Sequence, residues 1–168
     1  MELKRPIFIV SSERSGTNLL RVLLDNHSKL HGPRAPQLLT TFSRTFPHYS
    51  ITKEGLDELV DDIGASVNHP FIDWGLNLDQ VRGEVSGEMS LIGLWDLCCS
   101  LNLSSTSKQF FVCKENALFD FTPALLTQYP DAKFIYLHRD PRDVCASWMK
   151  VPNGFKNVSQ AAQKWNQE

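Results

Sequence analysis

Residues 7–10, Ile-Phe-Ile-Val, form a short unbroken apolar run of β-branched and aromatic side chains, the pattern of a strand buried on both faces. A turn of small and polar residues, Ser11-Ser12-Glu13-Arg14-Ser15-Gly16-Thr17-Asn18, follows it. Leu20, Leu23, Leu24 and His27 then recur at i, i+3, i+4, i+7, one face of an amphipathic helix. The same grammar returns later in the chain. Gln109-Phe110-Phe111-Val112-Cys113 reads as a strand, and Thr122-Pro123 as an N-cap with Pro in the first helical position, ahead of a helix through Leu125, Leu126 and Tyr129. Lys133 to His138 reads as a third strand, after which Asp140 caps a helix with Pro141 first in it and Asp143 as the reciprocal acid of a capping box. Strands alternating with helices of this length predict an α/β fold, a three-layer arrangement around a parallel sheet with crossover helices.

Residues 36–107 break that alternation. Leu56, Leu59, Val60 and Ile63, and again Leu91, Leu94, Trp95 and Cys98, sit at i, i+3, i+4, i+7, so this stretch is expected to be a helical insertion within one domain spanning 1–168. Residues 158–168 are polar-rich, carry Ala161, Ala162 and Trp165, and end without a C-cap residue.

Composition narrows the class. The 168 residues amount to one domain, and 42% hydrophobic with 21% charged residues excludes a disordered or low-complexity chain. No apolar run nears the ~20 residues that cross a bilayer, and no signal-peptide pattern precedes Ile7. Cys98, Cys99, Cys113 and Cys145 show no paired Cys-x-x-Cys spacing, which favours reduced thiols in a cytoplasmic protein over a metal site. The net charge of −2 hides an uneven distribution: residues 1–36 and 133–168 carry +3 each, whereas 51–90 carry −7. The uneven charge fits either an acidic surface helix or an anionic ligand held between two basic ends.

The first turn has the makings of an anion site. A helix N-terminus presents unpaired N–H groups and partial positive charge; Gly16 permits close backbone approach, Ser15 and Thr17 supply hydroxyls, and Arg14 a permanent cation. The nucleoside-triphosphate loop Gly-x-x-x-x-Gly-Lys-[Ser/Thr] is not met: with Gly16 as its second Gly, Ser11 replaces the first and Thr17 the Lys. By itself Ser15-Gly16-Thr17 is equally a capped helix start. At the later junction, Arg139 leaves the strand end and Ser147 lies two turns into the helix, so both can reach one phosphate beside it. The alternative is surface pairing of Arg139 with Asp140 or Asp143.

Together, Phe8-Ile9-Val10, Arg14-Ser15-Gly16-Thr17-Asn18-Leu19-Leu20-Arg21 and Leu24-Asp25-Asn26-His27 resemble the 5′-phosphosulfate loop of sulfotransferases that use 3′-phosphoadenosine 5′-phosphosulfate (PAPS), in a P-loop-like strand–loop–helix. Phe134 to Ser147, with Arg139 and Ser147 eight residues apart, is similar to their 3′-phosphate element. Val112-Cys113-Lys114-Glu115, Tyr129-Pro130-Asp131-Ala132-Lys133 and Ala162-x-x-Trp165-Asn166 resemble pieces of the tyrosylprotein and bacterial branches. The resemblance implies sulfuryl transfer from PAPS to a hydroxyl or amine acceptor, leaving adenosine 3′,5′-bisphosphate. Arg14, Ser15, Gly16, Thr17, Asn18, Arg139 and Ser147 would bind the donor, with Lys114 and Arg14 as catalytic cations. The implied partners are that nucleotide and an unidentified acceptor, with no metal, nucleic acid or membrane.

The match is good over residues 6–34 and 109–166 and poor over 35–108. The tyrosylprotein branch carries a Gly-Glu-Glu after the first helix whose second Glu deprotonates the acceptor; here that stretch is Leu30-His31-Gly32-Pro33-Arg34. His31, Glu115 or a group beyond residue 168 remain as candidate bases, with His31 more readily read as a buried strand-end histidine. Glu13 is expected to be kept from the donor by like-charge repulsion. The family places further adenine and phosphate contacts after the helix containing Trp165, so the chain is expected to be the N-terminal part of a longer domain. A noncatalytic nucleotide-binding module and a degenerate P-loop kinase are the alternatives.

Overall fold

The computed structural model describes residues 3–152 and 154–167. Four strands, β1 (Ile7–Val10), β2 (Leu30–His31), β3 (Phe110–Cys113) and β4 (Lys133–Tyr136), form one parallel sheet in the order β2-β3-β1-β4. Ile7 lies opposite both Val112 and Lys133, and Val10 opposite Tyr136. A parallel sheet needs a crossover between successive strands. Helix α1 (Thr17–Asp25) connects β1 to β2; α2 (Leu38–Phe42), a 3₁₀ turn at Phe46–His48, α3 (Lys53–Val67), α4 (Leu78–Glu84) and α5 (Leu91–Ser104) connect β2 to β3. Helix α6 (Leu118–Gln128) leads to β4, and α7 (Pro141–Met149) and α8 (Val158–Gln167) follow. With β1 between β3 and β4, the C-terminal ends of these three strands come side by side, where open α/β sheets bind ligands.

The core lies between the sheet and the helices of residues 38–104. Phe8 and Phe111 point to this face and meet Trp95 at ring-centroid distances of 5.7 and 6.1 Å. The stripe Leu91, Leu94, Trp95, Cys98 predicts a one-sided α5, but every residue from Leu94 to Asn102 is buried, polar Asp96 and Asn102 included. A helix enclosed on all sides is a core helix, so the insertion supplies the centre of the domain rather than an appendage. Of its buried polar groups, Asp96 accepts from the Leu3 N–H at 3.0 Å and from the Tyr129 hydroxyl, and Asn102 donates to the Trp74 carbonyl at 3.2 Å, whereas the Ser100 hydroxyl has no hydrogen-bond partner among the described residues.

Three local expectations are corrected. Helix α6 begins at Leu118, and Thr122 and Pro123 lie inside it, Thr122 donating its hydroxyl to the Leu118 carbonyl at 3.2 Å. Burial of Leu118 and Leu125, seven residues apart, anchors the helix one turn earlier than its Pro would dictate. Strand β4 stops at Tyr136, although Leu137 N–H still donates to the Val10 carbonyl at 2.9 Å. On α1, Leu20 and Leu24 are half-buried against the sheet, whereas Leu23 is 61% and Leu19 66% exposed and His27 is exposed. The helix lies over β2 and β3 along one seam, and residues a 100° step away from that seam face outward.

Candidate active site

The β1–α1 turn takes its shape from two left-handed residues, Arg14 at φ +67° and Gly16 at φ +95°. A Cβ built on Gly16 would meet nothing within 4 Å, so glycine here supplies backbone conformation rather than room. Gly16 is the N-cap of α1, and its carbonyl accepts from Leu20 N–H at 3.2 Å. The first N–H groups of α1 therefore have no partner within the helix and point into the turn, an anion-binding concavity. The Ser15 hydroxyl is buried and lies 2.8 Å from the Ser12 hydroxyl, closing the loop on itself.

Above this turn opens a cavity of about 390 Å³ lined by Glu13, Arg14, Gly16, Thr17, Asn18, Lys114, Asn116, Arg139 and Ser147. Thus Arg14, Gly16, Thr17, Asn18, Lys114, Arg139 and Ser147, chosen from two ends of the sequence, meet in one place, while Ser15 turns away from it. Arg14 reaches across the cavity: its Nε donates to Ser147 Oγ at 3.1 Å, and Arg139 donates to the Arg14 carbonyl at 3.1 Å. Arg139 Nε also lies 3.8 Å from Asp143 Oδ2, so Asp143 faces this guanidinium instead of closing a capping box. The N-cap is as expected, Asp140 accepting from Arg142 N–H at 2.9 Å. Arg142, side chain and main chain, holds the Asp140 carboxyl down at about 2.

Lys114 follows the last residue of β3 and is half-buried. Its Nζ donates to Asn116 Oδ1 at 2.7 Å. Burial pulls the ammonium below its usual range; the negative charge of Glu13, across the cavity, opposes this, as does that of Glu115, and Arg21 adds to it. Among the described residues lining the cavity, three permanent or ordinary cations face one carboxylate, Glu13, which leaves a positive field suited to a multiply charged anion. Glu13 is part of the cavity wall and supports the charge of Lys114.

The two candidate bases lie elsewhere. His31 lines a separate cavity with Arg21, Asp25, Arg34, Trp74 and Asn102. Its Nε2 is 2.7 Å from Asn102 Oδ1 and its Nδ1 3.8 Å from Asp25, so it ties β2 to α5 and α1; burial lowers its pKa. Glu115 is buried and accepts three hydrogen bonds, from Leu38 N–H at 3.2 Å, Leu39 N–H at 3.0 Å and Trp95 Nε1 at 3.2 Å. Burial pushes its carboxyl up to about 7, against the pull of these donors. Asn116, and Gln37 behind it, went unread in the sequence. A signal existed for Asn116: beyond a strand end, residues two apart leave on the same side, so Asn116 follows Lys114.

Among the described residues no cluster of three or more His, Cys, Asp or Glu could hold a metal ion, and no helix is long and apolar enough to cross a membrane. All four cysteines are buried and unbridged, and burial raises the thiol pKa of Cys98, Cys99 and Cys113.

A parallel sheet whose strand ends gather a glycine turn, a helix N-terminus and three cations is an α/β fold with a positively charged cavity at those ends. The sulfotransferase family model matches residues 6–168, and the chain belongs to that family. Two solved structures share the fold. A sulfotransferase domain from the curacin biosynthetic pathway is 23% identical with a TM-score of 0.56, covering 99% of this chain and 62% of its own. The sulfotransferase domain of the Synechococcus PCC 7002 olefin synthase is 22% identical with a TM-score of 0.60, covering 96% of this chain and 58% of its own. The chain thus spans about three fifths of these relatives. No curated protein matches it in sequence.

Proposed function

We propose that this chain carries the donor site of a sulfotransferase that moves a sulfuryl group from PAPS to a hydroxyl or amine acceptor. The observation that carries the reading is the single cavity in which the β1–α1 turn and the β4–α7 junction are joined by the Arg14–Ser147 and Arg139–Arg14 hydrogen bonds. In this reading the N–H groups of Gly16, Thr17 and Asn18 hold the 5′-phosphate, and Arg139 with Ser147 holds the 3′-phosphate. Arg14, in contact with the second pair and rooted in the first turn, spans the two. The acceptor's oxygen or nitrogen attacks sulfur, the bond from sulfur to the bridging phosphate oxygen breaks, and adenosine 3′,5′-bisphosphate leaves with that electron pair while the acceptor loses a proton. Charge builds on the bridging and sulfuryl oxygens, which Lys114 and Arg14 would stabilise from the cavity wall, so catalysis is positioning plus charge stabilisation.

Thermal-shift titration with PAPS, adenosine 3′,5′-bisphosphate and Mg-ATP tests the donor assignment, because a ligand that binds the native state raises the midpoint. The two 3′-phosphorylated nucleotides should raise it and Mg-ATP should not. A response to Mg-ATP alone would favour a kinase-like loop, and binding of PAPS without release of sulfate to any acceptor, water included, would leave a nucleotide-binding module.

A further inference from the structure

Lys114, Glu115 and Asn116 leave the end of β3 in sequence; Glu115 and Asn116 are fastened to the short segment at the start of α2, and Lys114 is fastened to Asn116. The Glu115 carboxylate takes the N–H groups of Leu38 and Leu39, the Asn116 N–H donates to Gln37 Oε1 at 2.7 Å, and Asn116 Oδ1 accepts from Lys114 Nζ at 2.7 Å. Gln37 itself sits at φ +61° as the N-cap of α2, so the chain doubles back there to bring its side chain against the β3 end. Both Asn116 and Lys114 line the donor cavity, whereas Gln37 does not.

We infer that Asn116, held by Gln37, is a positioning residue that aims the Lys114 ammonium at the transferring sulfuryl group. The inference rests on the sulfotransferase reading of this cavity. A lysine side chain left to itself loses rotamer freedom when ordered. Here one of its three N–H donors is spent on Asn116, which restrains the ammonium before the donor binds and leaves two hydrogens for sulfuryl oxygens. The chemistry also selects the amide. An aspartate in the same place would form an ion pair with Lys114 and compete with the incoming anion; an amide oxygen directs the ammonium without neutralising it. Glu13 and Arg14 from the β1–α1 turn, Arg139 beyond β4 and Arg21 from α1 are charged groups around Lys114 from neighbouring elements, with Cys113 and Glu115 beside it on its own segment.

Two measurements test this, neither needing the acceptor. The first follows ³⁵S-sulfate released from PAPS to water, in which a water oxygen–sulfur bond replaces the sulfur–bridging oxygen bond. Asn116→Ala should lower kcat about 10- to 100-fold, the range expected for a charge-assisted hydrogen bond, with the KM for PAPS and the affinity for adenosine 3′,5′-bisphosphate within about threefold of wild type. Gln37→Ala, which touches neither Lys114 nor the cavity, should lower kcat in the same sense by less. The second is a ¹³C NMR pH titration of reductively methylated protein without nucleotide, with the Lys114 signal assigned by its loss in Lys114→Arg. Asn116→Asp should move that titration to higher pH. An unmoved Lys114 titration in Asn116→Asp, or wild-type kcat in Asn116→Ala, would overturn the role of Asn116. A wild-type protein that neither binds nor hydrolyses PAPS would overturn the donor reading and, with it, the role in transfer.

Discussion

Removing Glu115 should cost the protein its stability and leave its chemistry in place. The side chain is buried and its two carboxylate oxygens accept from three N–H groups, Leu38, Leu39 and Trp95 Nε1, that have no water to turn to. Each buried donor stripped of its acceptor costs about 1–3 kcal/mol, so Glu115→Ala at pH 5, where the wild-type carboxyl is mostly neutral, should lose ~3 kcal/mol or more. For a domain of this size that is a fall in Tm of about 6 °C or more. The carboxyl also has a signature in pH. Burial raises it from 4.5 to about 7, so between these values the folded protein holds a proton that the unfolded chain has released. Its contribution is therefore fully present below pH 4.5 and is lost as pH rises through about 7, by about 3 kcal/mol at 1.36 kcal/mol per pH unit. Urea denaturation of wild type and Glu115→Gln from pH 4.5 to 8 should show the wild type's margin over the amide variant shrinking by that amount as pH increases. Glu115→Gln should keep most of its PAPS-dependent turnover. If Glu115 were instead the base that deprotonates the acceptor, Glu115→Gln would lose about 10²–10⁴ in rate with an unchanged pH dependence of stability, and that result would refute the structural assignment.

Three further outcomes are expected from the donor cavity. Arg139→Ala should weaken adenosine 3′,5′-bisphosphate by about 1.5–3 kcal/mol in isothermal titration calorimetry while barely changing adenosine 5′-phosphate; equal losses would place the 3′-phosphate elsewhere. Arg14→Ala and Ser147→Ala should be non-additive toward adenosine 3′,5′-bisphosphate by about 0.5 kcal/mol or more, because the two side chains touch, and simple additivity would mean that the contact is lost when nucleotide binds. Lys114→Ala should lower sulfuryl transfer about 10²–10³-fold with nucleotide affinity nearly intact, and a chelator should leave wild-type turnover unchanged; a fully active alanine variant would remove Lys114 from the chemistry.

Three of the four strands, the glycine turn and the capped start of α7 were legible one segment at a time, because each is specified by residues within a few positions of one another; the two-residue β2 was not. Ile7 to Val10 is apolar enough to be buried on both faces, Gly16 tolerates a left-handed turn, and Asp140-Pro141 starts a helix wherever it is placed. Two such junctions in order were sufficient to anticipate a parallel α/β sheet. Local rules misled where burial overrode them: Leu118 starts α6 ahead of a proline, and the all-round burial of α5 shows only when the sheet lies beneath it.

What a charged side chain does at a distance was decided by the sheet order. Placing β1 between β3 and β4 brings Arg14 to Ser147 across 133 positions, and the insertion's return to β3 brings Leu38 and Leu39 to Glu115 across 77 and 76. The same packing takes His31 to Asn102, 71 positions on, and away from the cavity that the sequence offered it as a base. Such contacts are not encoded in the spacing of polar residues. A carboxylate or imidazole reads the same in sequence whether it meets solvent, substrate or an unpaired N–H, and its partner is set by where buried apolar surface forces the backbone to pass.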